Sequence, residues 1–148
     1  MDVLKHFADH HGWSYRNFRE FLDGSVASYG GTTAFRSRSP GREEGYEELS
    51  YVELGARVKA LGWFFLASGL KAGQAVAIFS ENRPEWCVSY LAAVVCGLVA
   101  VPLDATLDEK GAGNILKAAD ARALVFSERM TDRARAAALS LGLPSLVL

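Results

Sequence analysis

Residues 71–103 read KAGQAVAIFSENRPEWCVSYLAAVVCGLVAVPL, and the reading of this stretch decides the fold. Residues 75–79, AVAIF, form a short continuous apolar run of the kind buried in a parallel sheet covered on both faces. Ser80, Glu81 and Asn82 break the run. The pattern predicts a helix beginning after Asn82, with Asn82 as its cap and Glu85 reaching back in a variant of the capping box. Pro84 falls in the first turn, where a missing N–H costs nothing. Gly97 predicts the end of the helix, and residues 98–103 resume a strand pattern closed by Pro102 and Asp104. Strand, helix, strand is the repeating unit of a parallel sheet with right-handed crossovers.

Upstream, residues 1–31 predict an N-terminal helical segment. Its first dozen residues have weak periodicity, but Phe18, Phe21, Leu22, Val26 and Tyr29 share one helical face, and Gly30-Gly31 stops it. Residues 32–49 predict a hairpin: a strand over 32–38, a turn at Ser39-Pro40-Gly41, and an exposed second strand. The acidic residues there, Glu43, Glu44, Glu47 and Glu48, read as a solvated face, since no His or Asp joins them to make a metal site. Ser50 opens the longest helix through a capping box with Glu53. Leu54, Val58, Leu61 and Phe65 follow at helical spacing, and Trp63, Phe64 and Leu66 widen the apolar surface. That width predicts cover by other protein on more than one side. Gly55 and Gly62 lie seven apart on one face and predict close approach of a neighbouring element. Gly69 predicts the helix end, with Leu70 folding back onto the last turn.

Downstream, a loop over 104–108 leads to a helix over 109–119, weakened by Gly111 and Gly113 at about 1 kcal/mol each relative to alanine. A strand over 123–126, a helix over 131–141 capped by Thr131, and a strand over 145–148 complete the alternation. The fold class is therefore α/β: a parallel sheet flanked by helices over residues 50–148, with an early β-hairpin. Residues 145–148 stop inside an apolar run without a turn signal, which predicts an incomplete domain.

With 148 residues, half of them apolar and 22% charged, the composition is that of a globular chain and not a disordered one. A net charge of −1 gives no reason to expect nucleic acid or an anionic membrane surface as partner. Cys87 and Cys96 lie on one predicted helix, pointing to opposite faces about 13 Å apart along its axis, too far to pair. Two unpaired thiols and no signal peptide predict a cytoplasmic setting. No C-x-x-C accompanies them, and the adjacent His10-His11 cannot converge on one ion, so no metal site is assigned. The uncharged run over residues 86–103 approaches the length of a membrane span. Ser89, Gly97 and Pro102 interrupt it, and a short helix followed by a strand accounts for the same letters, so no transmembrane segment is expected.

Four phrases, G-x-x-V-A-I from Gly73, S-E-N-x-P-E-W from Ser80, G-x-V-A-V-P-L from Gly97, and S-Y-V-E-L from Ser50 with its S-G-L helix end, resemble the N-terminal part of the adenylate-forming, AMP-binding enzymes. The likeness runs from about Phe18 onward and is strongest to the acyl-CoA synthetases, including the long-chain fatty acid–CoA ligases. Ala105 departs from it, standing where a second proline is usual. The resemblance implies a parent enzyme that converts a fatty acid or other carboxylate, ATP and CoA into acyl-CoA, AMP and pyrophosphate through an acyl adenylate. ATP, Mg²⁺ and CoA are its implied cofactors. The residues that would do this chemistry are not in the chain. The family's phosphate loop is a Ser/Thr/Gly run followed by G-x-P-K-G, and the nearest letters, Gly30-Gly31-Thr32-Thr33, lack the lysine. Gly111-Ala112-Gly113 carries only half of a dinucleotide fingerprint. The adenylation lysine, hinge and CoA surface would lie beyond Leu148.

Arg83, Glu85 and Trp86 follow a strand at its carboxyl end, where open α/β sheets bind ligands. The expectation is nevertheless structural: Glu85 caps, Trp86 packs on the sheet, Arg83 is solvated. No catalytic, cofactor-binding or metal residue is assigned. The chain alone is expected to be an inert part of the synthetase, binding none of the cofactors and self-associating as a homodimer through an exposed edge or truncated surface. The full-length enzyme is expected in the cytoplasm, peripheral to membranes. A free-standing flavodoxin-like binding module is the alternative.

Overall fold

The computed structural model describes residues 15–38 and 45–147. Its centre is β3 (Ala75–Phe79), buried at all five positions. Around it stand β4 (Val99–Leu103), β5 (Ala121–Phe126) and β6 (Ser145–Val147), all parallel, in the order β4-β3-β5-β6. The first crossover runs outward from β3 to β4, and the chain then returns past β3 to β5. The direction therefore reverses between β3 and β5. Right-handed crossovers on opposite sides of that reversal place their helices on opposite faces. Alternate side chains of the central strands accordingly feed two cores. Val76 and Val125 pack with Val58, Phe65, Val88 and Ala92 on one face. Ala77, Phe79, Leu124 and Phe126 pack with Leu116, Ala134 and Ala138 on the other.

Pro102 sits within β4, opposite Ile78 of β3. The Val99 N–H donates to Gln74 O at 2.9 Å, so odd-numbered amides of β4 face β3 and even-numbered ones face outward. The N–H that Pro102 lacks would thus have pointed away from the sheet, and the edge strand keeps its full ladder.

Before the sheet come α1 (Phe18–Tyr29), the antiparallel pair β1 (Thr33–Arg38) and β2 (Tyr46–Ser50), and α2 (Tyr51–Ala67). The capping box of α2 forms as its sequence predicts: the Glu53 N–H donates to Ser50 Oγ and the Ser50 N–H to Glu53 Oε2, at 3.3 and 2.9 Å. At its other end Gly69, at φ +89°, lets Leu70 N–H return to Phe65 O at 3.2 Å. The two glycines of α2 mark its close contacts. A Cβ at Gly55 would lie 2.8 Å from Val26 Cγ2 of α1, and one at Gly62 would lie 2.6 Å from Cys96 Sγ.

Several expectations are corrected. Asn82 does not cap α3 (Pro84–Val95); Arg83 holds the cap position in extended conformation without a side-chain bond to the helix's free amides, and Pro84 is the first helical residue. The partner that would have completed the box, Glu85, accepts instead from Arg83 Nε at 2.8 Å. Thr131 is the first residue of α5 (Thr131–Leu139) and not its cap, because a 3₁₀ turn at Glu128–Met130 runs straight into the helix. Helix α4 (Glu109–Ala118) is regular despite its glycines. Asp108 caps it by accepting the Gly111 N–H at 2.7 Å, and a Cβ at Gly111 would crowd that same oxygen at 3.0 Å, so the glycine makes the tight cap possible.

Trp63, Phe64 and Leu66 are not covered; they stand 71%, 45% and 45% exposed. The buried stripe of α2 is Leu54, Val58 and Phe65, and at about 100° per residue Trp63 points the opposite way. The second hairpin strand is exposed from Tyr46 to Glu48, and Leu49 alone is buried. Residues 86–103 divide into α3 and β4, and among the described residues no helix is long and apolar enough to cross a membrane. Cys87 and Cys96 are free, and burial pushes both thiols above their ordinary pKa. His10-His11, the turn at residues 39–41, Glu43 and Glu44 lie outside the described residues.

Candidate functional site

The carboxyl ends of β3 and β5, on either side of the reversal in strand direction, define where an open α/β sheet takes a ligand. Both strands end in Phe-Ser, with Phe79 and Phe126 in register. Ser127 is fully buried, and its N–H donates to Phe79 O at 3.3 Å. Its hydroxyl donates to Glu81 Oε2 at 2.6 Å, tying the loops after the two strands together across the reversal. Glu81 also faces Arg83 Nη1 at 3.8 Å, and Arg83 in turn holds Glu85. The result is an alternation of carboxylate, guanidinium and carboxylate along the start of α3. Burial pushes the Glu81 carboxyl up, but the Ser127 hydroxyl, its own backbone amide and the charges of Arg83 and Arg129 outweigh that and hold it below its ordinary value. Glu85 behaves alike: burial opposes ionisation, and the hydrogen bond from Arg83 and its own backbone amide overcome it.

Between the ends of β3 and β4 lies a cleft of about 510 Å³, walled by Ser80, Asn82, Trp86, Pro102 and Asp104. Trp86 is half-buried, stacks on Tyr90 with centroids 5.5 Å apart and planes at 12°, and forms one wall of the cleft. Asp104 closes its own turn, accepting the Thr106 N–H at 2.8 Å and its hydroxyl at 2.7 Å, and the Thr106 amide and hydroxyl hold its carboxyl low. Arg133 of α5 fixes the loop that follows, donating to Ala105 O at 3.0 Å and Leu107 O at 2.7 Å while its guanidinium lies 5.4 Å from the Phe79 ring centre.

The carboxylates of this edge are already engaged within the molecule. Glu81, Glu85 and Asp104 are committed to internal partners, and among the described residues no three His, Cys, Asp or Glu side chains gather to hold a metal. The structure brings Arg83, Glu85 and Trp86 together here. It sets the other singled-out letters to structural tasks: the backbone of Gly30 and Thr32 bonds to α1 and to the start of α2, and the Thr33 hydroxyl donates to Glu48 Oε2 at 2.8 Å. Ser127 and Arg133 were missed by sequence reasoning. The matching Phe-Ser ends of two strands were a usable signal for Ser127; nothing marked Arg133.

Replacing Ser127 by alanine removes a buried hydroxyl donor from Glu81, and a loss of about 1–2 kcal/mol is expected in urea unfolding. An unchanged midpoint would mean the contact across the reversal carries no stability. Acid titration tests the same network. The depressed carboxyls of Glu81, Glu85 and Asp104 contribute stability that is complete above about pH 5 and is lost as the pH falls through their folded-state values. The unfolding midpoint should therefore drop on acidification, and less steeply in Glu81→Gln.

A model of the AMP-binding enzyme family matches residues 22–146. The chain belongs to that family. Long-chain-fatty-acid–CoA ligase 6 of Mus musculus is 35% identical over 120 residues, which are 80% of this chain and 16% of that protein. A benzoate CoA ligase from Burkholderia xenovorans LB400 superposes with a TM-score of 0.80 at 21% identity, over 90% of this chain and 26% of that one. The A-PCP didomain of carboxylic acid reductase from Segniliparus rugosus, solved with AMP, superposes with a TM-score of 0.81 at 21% identity, over 97% and 22%. The chain thus spans about a quarter or less of these relatives. The fold shared with AMP-binding enzymes is the α/β sheet and hairpin described above, and the curated relatives include further CoA ligases.

Proposed function

We propose that the 148 residues are the N-terminal scaffold of an ATP-dependent fatty acid–CoA ligase. In the longer protein, a fatty carboxylate and ATP would form an acyl adenylate and pyrophosphate, and CoA would then take the acyl group and release AMP. The observation that carries this reading is the likeness to a long-chain fatty acid–CoA ligase across four-fifths of the chain. The alternative of a free-standing flavodoxin-like module draws no support from the matched proteins.

The chain's own contribution is structural. Its carboxyl edge supplies a wall in which Arg83 faces Glu81 and Glu85, and Thr106 holds Asp104. No step of the reaction is assigned to them, and we propose that the chain alone is inactive. The location we propose is cytoplasmic, consistent with two free thiols, with peripheral contact to membranes.

Calorimetric titration with ATP–Mg²⁺, and separately with a fatty acyl adenylate analogue, tests the reading. Absence of heat from both is the expected result. Micromolar binding of either would place a ligand site within these residues and overturn the scaffold role.

A further inference from the structure

A cavity of about 320 Å³ opens at the amino ends of β5 and β6, at the other end of the sheet from the cleft beside Trp86. Phe64, Phe65 and Leu70 wall it from the end of α2, and Val125 and Leu146 from the sheet, where they are partners in register. The backbone of β5 is irregular here. Ala121 pairs with Ala75 and Ala123 with Val76, so Arg122 has no residue opposite it on β3. Asp120, just before it, holds φ at +48°. A bulge is rare in a parallel pair, and it re-aims the side chain it carries. This one sets Arg122 in the cavity wall.

Asp120 Oδ2 accepts from Arg122 Nη2 at 2.8 Å, which orients the guanidinium and offsets its charge. Arg122 Nε and Nη1 have no acceptor among the described residues. Gln74, also in the wall, accepts the Lys71 N–H on Oε1 at 2.8 Å, so its amide NH₂ is left without an acceptor among the described residues. No carboxylate lines the cavity. Apolar walls, spare donors and a guanidinium already matched by a carboxylate select an apolar ligand that brings an acceptor without a charge.

We propose that this cavity binds a small uncharged molecule, an apolar body of about the size of a phenyl ring bearing one carbonyl oxygen, with Arg122 donating to that oxygen. The site goes beyond the scaffold role, since it lies at the opposite end of the sheet from the edge described above.

Amide NMR spectra of the chain titrated with acetophenone, ethylbenzene and benzoate test it. Acetophenone should shift the amides of Gly69, Leu70 and Leu146 saturably, with a Kd of about 1 mM for so small a ligand. Ethylbenzene lacks the oxygen and should bind about fivefold more weakly. Benzoate should bind no more tightly than acetophenone, because Asp120 already matches the guanidinium. Arg122→Met should abolish the preference for acetophenone and leave ethylbenzene unchanged. The position is exposed, so the dispersion of the spectrum should be retained. No saturable shift up to about 10 mM acetophenone, equal affinity for acetophenone and ethylbenzene, a preference that survives Arg122→Met, or tighter binding of benzoate each overturns the proposal. So does the same set of shifts on concentrating the chain without ligand, since that result assigns the cavity to a second copy. Binding is read at these amides and apart from nucleotide, so failure here leaves the ligase reading to its own titration.

Discussion

Phe79→Ala is expected to lower unfolding free energy by about 4 kcal/mol, a large share of what a domain of this size possesses. Phe79 has no exposed surface and ends the central strand, in register with the equally enclosed Phe126. Strands on both sides hold its backbone, so the cavity cannot close by a shift of β3 alone. The ring also lies beneath the Arg133 guanidinium, whose two carbonyl contacts hold the loop after β4. Urea unfolding of Phe79→Ala, Arg133→Ala and the double variant measures this coupling. Single-site losses that simply add would show that ring and guanidinium act independently. A loss below about 1.5 kcal/mol for Phe79→Ala would mean the core relaxes around the void, contrary to the tight two-sided packing seen here.

Gly62→Val is expected to cost about 3 kcal/mol by overpacking the contact of α2 with the end of α3. The built Cβ lies 2.6 Å from Cys96 Sγ, and the next neighbour, Ala92 O, is at an ordinary 3.5 Å. That asymmetry makes the cause separable. Gly62→Ala should be destabilising in the native background, although alanine gains about 1 kcal/mol in helix propensity over glycine. In a Cys96→Ala background the offending sulfur is gone, and the same substitution should be neutral or stabilising. If Gly62→Ala is equally harmful in both backgrounds, the sulfur contact is not what requires glycine.

The central unit was legible because it is governed by short-range physics. An unbroken apolar run, a proline at a helix start and a glycine at a helix end each carry a local conformational reason, and β3, the first turn of α3 and the turn at Gly97 follow from them. The capping box at Ser50 is legible for the same reason. The errors arise where a local preference meets a partner distant in sequence or a competing neighbour. Asn82 is not the cap because the helix starts one residue later, with Arg83 at the cap position and Pro84 first in the helix, and Thr131 is not the cap because a 3₁₀ turn runs into α5 without a break. The carboxyl edge was only half legible. Arg83, Glu85 and Trp86 adjoin β3 in sequence, whereas Ser127 and Arg133 reach the edge only through the order of strands in the sheet. The exposure of Trp63 depends on which face of α2 meets the sheet, and periodicity alone does not distinguish a buried apolar stripe from a bare one.

The proline in β4 has a consequence for how such a chain can assemble. With odd-numbered amides turned toward β3, the outer margin of this strand offers the N–H of Ala100 as a donor but at Pro102 only a carbonyl acceptor. An incoming strand would find a template with a missing rung. Growth into an open ribbon needs two receptive margins on every molecule; a molecule with one receptive margin can only pair and stop. The β4 margin is thereby the one at which addition of a further strand is disfavoured.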